Sequence, residues 1–400
     1  MYSEEKNRRS YLETLDSETC TGCRACSAAC PTGCIAMKQD KEGFYYPVID
    51  TEKCVDCGKC KNVCPHIKCN SRKLLRKPVA AVHRDKRIVN KSSSGGTFYA
   101  LAQAMEDKYG SVVLFGACMD DEFNVIHRYA YGVENISKLL KSKYVLSDTK
   151  DTYSEAKKFL DNGQAVLYSG TPCQIAGLRS YLGQDYEKLL CIDIFCHGAG
   201  SNSLFKRYIS EESKNGKIIE YSFRHKNNDG ARNVRIVYKD GREEIRSRVE
   251  DLYMSGYAEA LFYRPSCLQC KYACEEREGD VSIGDGWKIN RIYPELNPDN
   301  GVSIVLFNNE KGASFKEKLS SIMDLYDVSY DFVVSTIDTM RSPTSRHPKR
   351  ERFFWLAQRI SVHRAISFSL IRNNPVRRIA KRILRDNQKQ RIKKVFNILR

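Results

Sequence analysis

The chain contains 400 residues, of which 42% are hydrophobic, and is therefore long enough for a small module and a larger body with its own core. No run of 18 or more apolar residues occurs, and the N-terminal segment lacks the apolar core of a secretory signal. We therefore expect a cytoplasmic protein without a transmembrane helix. Seventeen cysteines in such a chain favour metal and redox chemistry over disulfide bonds.

The formal net charge of +17 is concentrated at the C-terminal end. Residues 341–400 hold 18 of the 66 Lys and Arg residues but two of the 49 Asp and Glu residues, which gives this segment a net charge of +16. The other 340 residues hold 48 basic and 47 acidic side chains and are nearly neutral. Because this body lacks a recognisable nucleic-acid-binding motif, the sequence argues against nucleic acid as a partner.

Eight cysteines near the N-terminus form two copies of one pattern, C-x2-C-x2-C-x3-C followed by Pro, and the second copy lies 34 residues after the first. This is the spacing of bacterial two-cluster ferredoxins, in which the fourth cysteine of each run ligates the other cluster. Zinc sites and disulfide frameworks fit the spacing less well. The sequence assigns one 4Fe–4S cluster to Cys20, Cys23, Cys26 and Cys64, and a second to Cys54, Cys57, Cys60 and Cys30.

Residues 1–75 are predicted to form this α+β ferredoxin module. A short strand from Tyr45 to Ile49 is expected between the two cysteine runs, as part of a hairpin. Cys34 and Cys69 lie just outside the ligand pattern, and we interpret them as packing residues beside the clusters.

Residues 78–335 are predicted to form an α/β body with a mostly parallel or mixed sheet. Apolar runs typical of strands, at 111–119, 165–173, 189–198 and 280–287, alternate with helical patterns at 97–110, 154–163 and 203–216. Ligands of such sheets bind beyond the carboxyl ends of the strands. Gly170 and Thr171 follow one of these strands, and His197 follows another.

Residues 336–400 are predicted to form a basic amphipathic tail of two helices separated by Pro375. Four aromatic residues, Phe353, Phe354, Trp355 and Phe368, stand among its basic residues. This composition suits an anionic membrane surface at the inner face of a membrane. The alternative is a helix pair that packs on the body and exposes a basic face to solvent.

A second group of cysteines lies in the body. Cys173 and Cys196 follow two predicted strands, and Cys267 and Cys270 form a C-x2-C pair. Three separate segments of this kind are able to converge on one cubane. Cys274 competes with them as a ligand, because C-x2-C-x3-C is also reasonable locally. We interpret Cys118 and Cys191 as core residues.

In these segments the chain resembles the beta subunit family of coenzyme F420 hydrogenases and dehydrogenases, over roughly residues 15–325. The matching segments are SSSGG (92–96), SKYVLSD (142–148), SGTPCQIAGLRSYL (169–182), DIFCHGAGS (193–201), FRHK (223–226), RPSCLQCKYA (264–273) and GDVSIGDGW (279–287). The resemblance implies FAD and a third 4Fe–4S cluster held by Cys173, Cys196, Cys267 and Cys270. The family commonly reads GDFWG where this chain has GDGWK at 284–288, a change at the flavin or acceptor pocket.

A site for the flavin is expected where a helix begins. Ser94, Gly95 and Gly96 precede the predicted helix at 97–110, and a helix N-terminus attracts a diphosphate. From the residues alone, a simple helix cap with flexible glycines explains this segment better, and the resemblance reverses that preference in favour of the flavin. The other residues expected to contact the flavin are Ser142, Lys143, Tyr144, Gly170 and Thr171. Lys143 and His197 are the candidate catalytic residues, as a cation for the cofactor and a proton carrier or cluster-tuning residue.

These inferences predict a flavin-dependent iron–sulfur oxidoreductase. The resemblance implies that it passes electrons between ferredoxin-type clusters and a small organic acceptor through FAD, and it suggests surface-polysaccharide metabolism as the context. A redox partner protein or reduced ferredoxin is the expected electron partner. The alternative is a non-catalytic electron-transfer subunit that feeds a separate enzyme.

Overall fold

A computed structural model describes residues 11–13, 15–67, 75–227 and 230–370. The strands are β1 (Ile35–Gln39), β2 (Tyr45–Ile49), β3 (Lys77–His83), β4 (Val112–Met119), β5 (Val125–Tyr131), β6 (Ala165–Gly170), β7 (Leu189–Ile194), β8 (Ile218–Asn227), β9 (Gly230–Tyr238), β10 (Glu243–Ser247), β11 (Val281–Asp285), β12 (Ser303–Phe307) and β13 (Met323–Asp327).

The α-helices are α1 (Ala25–Ala28), α2 (Lys59–Asn62), α3 (Lys86–Lys91), α4 (Thr97–Tyr109), α5 (Thr152–Asp161), α6 (Pro172–Leu182), α7 (Asn202–Glu212), α8 (Leu252–Ala258), α9 (Glu310–Ala313), α10 (Lys316–Ile322), α11 (Tyr330–Thr336), α12 (Arg350–Ala357) and α13 (Val362–Leu370). Short 3-10 helices span Tyr11–Glu13, Val133–Leu139, Ser213–Asn215, Pro265–Gln269, Ile289–Arg291, Pro298–Asn300 and Asp338–Met340.

The N-terminal module repeats its structure as well as its sequence. The antiparallel hairpin of β1 and β2 pairs Ile35 with Ile49, and β2 has the predicted bounds. The one-turn helices α1 and α2 each follow a residue in the left-handed conformation, Arg24 at φ 67° and Gly58 at φ 69°. These two residues are 34 positions apart, so both cysteine loops turn in the same way at equivalent positions.

The body is built on an eight-stranded mixed sheet with the strand order β13-β3-β12-β11-β7-β6-β4-β5. The central strands β4, β6, β7 and β11 are parallel, and the other neighbouring pairs are antiparallel. Helices α4 and α10 pack on one face, whereas α5 and α6 pack on the other. Because both faces are covered, the central strands are mostly apolar, as the sequence indicated. Their four carboxyl ends open at one edge.

A smaller layer lies beside this sheet. Strands β8, β9 and β10 form an antiparallel sheet, and β8 and β9 share an aromatic core with α7, α8, α12 and α13. Phe205 and Tyr253 pack at its centre, with ring centroids 5.0 Å apart.

The described part of the C-terminal tail packs on the body, which is the alternative that the sequence left open. The first predicted helix is two helices, α12 and α13, whose residues Phe353, Phe354 and Ile366 are buried in the aromatic core of the smaller layer. These residues therefore belong to the body. Trp355 and Phe368, by contrast, are 55% and 49% exposed. The second predicted helix, after Pro375, lies outside the described residues.

The module docks on the body through polar contacts. Arg24 Nη2 donates to Asp148 Oδ2 at 2.7 Å, and the buried Arg350 of α12 forms an ion pair with Glu42. Thr149 Oγ1 donates to the carbonyl of Cys23 at 3.2 Å. None of the helices in the described ranges combines the length and apolar character that crossing a lipid bilayer requires.

Candidate redox site

Four cysteines of the module line one cavity of about 180 Å³, namely Cys20, Cys23, Cys26 and Cys64. Burial, together with the charges of Cys20 and Cys64, raises the pKa of the Cys26 thiol to about 12. Buried thiols that lie close together resist losing their protons, because the thiolates would repel one another. A bound metal centre removes this penalty, because its positive iron atoms stabilise the thiolates. The chemistry of this donor set therefore fits a cluster. We call these four residues the first set.

A second cavity of about 340 Å³ is lined by Cys30, Cys54, Cys57 and Cys60. We call these residues the second set. Cys64 thus faces the cavity of the first run and Cys30 that of the second run, which is the exchange expected from the spacing. Cys34 also lines the second cavity, with its Sγ 3.3 Å from that of Cys30. Cys69 lies outside the described residues.

The four body cysteines suggested by the resemblance also converge, and we call them the third set. Burial raises the pKa of the Cys173 thiol to about 11, with Cys270 the next cause. Burial likewise raises the pKa of Cys196, followed by Cys267, Cys173 and Cys270. Three segments supply them: the start of α6, the end of β7 and the 3-10 helix at 265–269 with the residue after it.

Cys274, the competing ligand, faces in another direction. Its Sγ lies 3.3 Å from the carbonyl oxygen of Lys271 and 3.4 Å from that of Glu276. Within the described ranges, no three His, Cys, Asp or Glu side chains are close enough to hold a single metal ion. Thiols spread around a cavity suit a cubane better, because each of its iron atoms takes one thiolate.

A larger cavity of about 480 Å³ lies at the carboxyl ends of the parallel strands. Its size is within the range of about 300–1,000 Å³ that is typical of ligand sites. Most residues predicted to contact a flavin line it, namely Ser94, Gly96, Ser142, Lys143, Tyr144, Gly170 and Thr171, together with Cys196 and His197. We call it the large cavity.

Gly95 is the exception among the predicted contacts. A Cβ at this position would stand 2.2 Å from the carbonyl oxygen of Ala81 and 2.8 Å from the amide nitrogen of Ser303. Its amide donates to Ser303 Oγ at 2.9 Å. Close packing against β3 and β12 therefore requires a glycine here, and Gly95 itself is not among the residues that line the large cavity.

The start of α4 has the features of an anion site. Its N-cap Gly96 has φ 91°, and within the described part of the chain no side chain caps the helix. Ser92 and Thr97 line the large cavity, and both are buried, Thr97 being 2% exposed. Their hydroxyl oxygens have no hydrogen-bond partner among the described residues. Buried hydroxyls without partners at a helix N-terminus fit a bound anion.

Lys143 lines the large cavity, but its ammonium group is bonded within the protein. Its Nζ donates to the carbonyls of Ala117 at 2.8 Å, Lys138 at 3.2 Å and Leu140 at 2.6 Å. These bonds use all three donors of an ammonium group. Burial lowers the pKa of Lys143 to about 7. The side chain therefore fixes the loop before Ser142, whose amide donates to Ser93 Oγ at 2.7 Å.

Arg224 was not predicted from the sequence as a site residue. It is buried, and its Nη1 donates to Asp285 Oδ2 at 2.9 Å and to Tyr144 Oη at 3.0 Å. Its Nη2 donates to the carbonyl of Ser93 at 2.7 Å, and its Cζ lies 5.0 Å from the centroid of the Trp287 ring. This arginine joins three of the segments that carried the resemblance, of which FRHK was the available signal.

A buried polar network leads from the large cavity to the third set. His127 Nε2 donates to the carbonyl of Ser169 at 3.0 Å, so its Nδ1 accepts from Ser147 Oγ at 2.7 Å. Gln174 Nε2 donates to Ser147 Oγ at 3.0 Å, and its Oε1 accepts from the Thr171 amide at 3.0 Å. Burial lowers the pKa of His127 to about 4 and keeps it neutral.

The network ends on Cys173 of the third set, because Thr171 Oγ1 lies 3.1 Å from Cys173 Sγ. His197, the other predicted catalytic residue, is exposed at the large cavity next to Cys196. Partial desolvation lowers the pKa of His197, and the charge of Arg248 lowers it further. Its ring is therefore neutral near pH 7 and able to accept a proton.

Comparisons with known proteins agree with the resemblance. Residues 163–325 match the family model for the C-terminal part of the coenzyme F420 hydrogenase/dehydrogenase beta subunit, and residues 19–67 match the 4Fe-4S dicluster domain. No curated protein matches the chain. Among solved structures, the chain is similar to one from the xenon-derivatised F420-reducing NiFe hydrogenase complex of Methanosarcina barkeri. The identity is 15% and the TM-score 0.45, covering 70% of this chain and 99% of that chain. Residues 163–325 therefore match the C-terminal domain of the coenzyme F420 hydrogenase/dehydrogenase beta subunit, and residues 19–67 match a 4Fe–4S dicluster domain.

Proposed function

We propose that this chain is an iron–sulfur flavoprotein that passes electrons between its ferredoxin-type clusters and a small organic acceptor through FAD. One observation carries the proposal, namely that the thiol sets and the large cavity adjoin one another in space. Cys270 of the third set also lines the cavity of the first set, and Cys196 of the third set lines the large cavity. The third set thus stands between the module and the large cavity.

The proposed ligands are those assigned from the spacing and the resemblance. The first and second sets would each hold a 4Fe–4S cluster in the module, and Cys173, Cys196, Cys267 and Cys270 would hold a third in the body. Burial of all four body thiols in one place supports this assignment.

FAD is proposed for the large cavity because the chain's own groups suit its diphosphate. Ser92, Thr97 and the free amides at the start of α4 would bind it, since these hydroxyls otherwise have no partner in the described ranges. When bound, a flavin supplies the exchange between one-electron and two-electron chemistry. Lys143 and Arg224 would position the lining loops through the hydrogen bonds described above.

His197 is proposed to hold or accept a proton at the exposed rim of the large cavity. It is the neutral imidazole beside a cluster ligand, and its backbone carbonyl accepts from Thr344 Oγ1 at 2.6 Å. This bond anchors the loop that places the ring. The acceptor would be a small organic molecule, with a sugar-linked intermediate of surface-polysaccharide metabolism or a deazaflavin as candidates.

A second candidate function is electron transfer to a separate catalytic subunit. The second set favours it, because Cys57 is exposed and Val55 beside it is 64% exposed. An exposed apolar residue next to a cluster is a suitable contact for a redox partner protein or a reduced ferredoxin. Turnover of an acceptor by the purified chain alone would favour the enzyme over the electron-transfer subunit.

The test is anaerobic purification with iron, sulfide and flavin quantified per chain. We expect about twelve irons, as three 4Fe–4S clusters require, and one FAD that acid or heat releases. A reconstituted protein that stops at about eight irons would contradict the third cluster. A folded, iron-loaded protein that takes up no flavin after incubation with FAD would reduce the proposal to a cluster-only electron carrier.

A further inference from the structure

The segment from Arg264 to Tyr272 carries two cysteines of the third set and also faces the first set. Arg264 is 1% exposed, and its Nε donates to the carbonyl of Cys20 at 2.8 Å. Its Nη2 donates to the carbonyl of Tyr45 at 3.0 Å, and its Cζ lies 4.1 Å from the centroid of the Tyr46 ring. A body arginine is thus buried against the first cysteine loop of the module.

The third nitrogen of this guanidinium, Nη1, is buried and forms no hydrogen bond to any described residue. A Cβ at Gly22 would stand 3.1 Å from it, so it lies against the loop between Cys20 and Cys23. A buried charged donor without a partner indicates an acceptor that the protein itself does not supply.

Two hydroxyl groups of the same segment, those of Ser266 and Tyr272, are also buried without a hydrogen-bond partner among the described residues. The side chains of Ser266 and Tyr272 line the 180 Å³ cavity together with the first set. The cavity therefore receives unused donors from the body in addition to its four thiols.

The second cavity differs in this respect. Its lining residues all lie between Tyr11 and Lys61, within the module. The body therefore reaches the first set and leaves the second set to the module. This contrast provides an internal reference, because both cavities belong to one duplicated fold.

We propose that Arg264, Ser266 and Tyr272 raise the reduction potential of the cluster held by the first set. Reduction adds one negative charge to a cluster, and hydrogen bonds to its sulfurs and a nearby cation stabilise that charge. The inference rests on the cluster assignment of the proposed function. It adds that contact with the body gives different reduction potentials to two clusters whose ligand patterns are identical. The segment that carries Cys267 and Cys270 of the third set would thus also tune the neighbouring cluster of the first set.

The experiment is a redox titration of the full-length, cluster-loaded chain, monitored by electron paramagnetic resonance. The variants are Tyr272→Phe and Ser266→Ala, which each remove one oxygen, and Arg264→Met, which removes the charge. At a fixed potential we expect Arg264→Met to lower the reduced-to-oxidised ratio of the first cluster about tenfold, equivalent to about 59 mV for one electron. The two hydroxyl variants should lower it by a smaller factor, and both losses together should exceed either alone.

Matched controls are Ser369→Ala on α13 and Tyr238→Phe on β9, which remove buried hydroxyls far along the chain from the segment. The second-cluster signal is identified by its loss in Cys57→Ser. Unchanged potentials in Ser266→Ala and Tyr272→Phe, or an equal shift in the second cluster, would overturn the inference. If Arg264→Met fails to fold, the two hydroxyl variants by themselves still test the inference. A chain with only eight irons would refute the third cluster, yet the titration would still test the tuning of the first.

Discussion

Gly177 of α6 lies directly against Cys23 of the module. A Cβ at Gly177 would stand 3.0 Å from the Cys23 Cβ and 3.1 Å from its Sγ. The same helix carries Cys173 of the third set near its N-terminus, and the charges of Cys23 and Cys173 affect one another. The close approach of the first and third sets therefore depends on the absence of a side chain at residue 177.

Replacing Gly177 with Ala should destabilise the chain and slow electron transfer between the module and the body. Alanine gains about 1 kcal/mol of helix propensity, but overpacking at such a contact costs about 1–3 kcal/mol. We therefore expect a lower urea midpoint and slower flavin reduction, with full iron content. Ser180→Ala, one turn later on α6, is the control. Unchanged stability and rate in Gly177→Ala would contradict the contact.

Replacing Cys173 or Cys267 with Ser should remove about four of about twelve irons and leave the dicluster pair. The reason is that each would supply one corner of the third cluster. Cys274→Ser is the matched control, since that thiol faces the carbonyls of Lys271 and Glu276. Iron analysis with the visible spectrum provides the measurement. Equal iron loss in Cys274→Ser would move the ligand set toward the competing pattern.

Thr97→Val, which keeps the shape of the side chain, should weaken FAD binding at the start of α4. A hydrogen bond to a charged group contributes about 1.5–3 kcal/mol, so the dissociation constant should rise by about tenfold or more. Flavin fluorescence titration measures it. Ser180→Ala removes another buried hydroxyl without a described partner, but one outside the large cavity, and should bind FAD normally. Normal affinity in Thr97→Val would place the diphosphate elsewhere.

His363 should make the attachment of α13 dependent on pH. Its Nδ1 lies 2.7 Å from Glu211 Oε2, and its ring stacks on Tyr208 with centroids 4.5 Å apart. Burial lowers its pKa, but hydrogen bonds to Glu212 and Glu211 outweigh this and raise the pKa of His363 above its ordinary value. A raised pKa stabilises the fold fully below about 6.5, the value in the unfolded chain, and this contribution is lost as the pH rises through the folded-state pKa.

Glu212, which also contacts His363, affects the stability of the fold with the opposite dependence on pH. Burial opposes ionisation of Glu212, but hydrogen bonds from His363 and Arg246 lower its pKa to about 2. Its contribution is present above about 4.3 and is lost as the pH falls toward 2. Urea unfolding from pH 5 to pH 9 should show a decline that His363→Gln reduces. An identical decline in both proteins would contradict the coupling.

Truncation should separate the body from the basic tail. A chain ending at Arg341 lacks Phe353 and the buried Arg350–Glu42 ion pair, and we expect it to unfold or lose its cofactors. Breaking such a pair alone costs about 3–5 kcal/mol. A chain ending at Leu370 should keep its iron and flavin. It should also lose salt-sensitive binding to anionic vesicles, because each basic residue near lipid contributes about 1 kcal/mol. Vesicle binding that is absent from the full chain would refute the membrane role.

The sequence by itself determined the features that depend on neighbouring residues. Cys64 lines the cavity of the first run and Cys30 that of the second, as expected for loops too short to supply a fourth thiolate; that these thiols ligate clusters stays a prediction. The parallel strands β4, β6, β7 and β11 followed from apolar runs that only a sheet covered on both faces buries. Strand β2 was predicted around Tyr45–Ile49, because its aromatic and β-branched residues favour a strand, and the structure has it at Tyr45–Ile49.

Only the tertiary structure decided the features that join distant segments. Strand β12 pairs with β3, more than 200 residues earlier, and no local pattern specifies such a partner. Other long-range contacts could not be predicted either. Gly95 packs on the backbone of Ser303, and Phe353 is buried in the body. The same holds for Arg264, whose acceptor Cys20 is 244 residues away. A side chain's donors and charge can be read from the sequence, whereas the group that they face is decided by the packing of the whole chain.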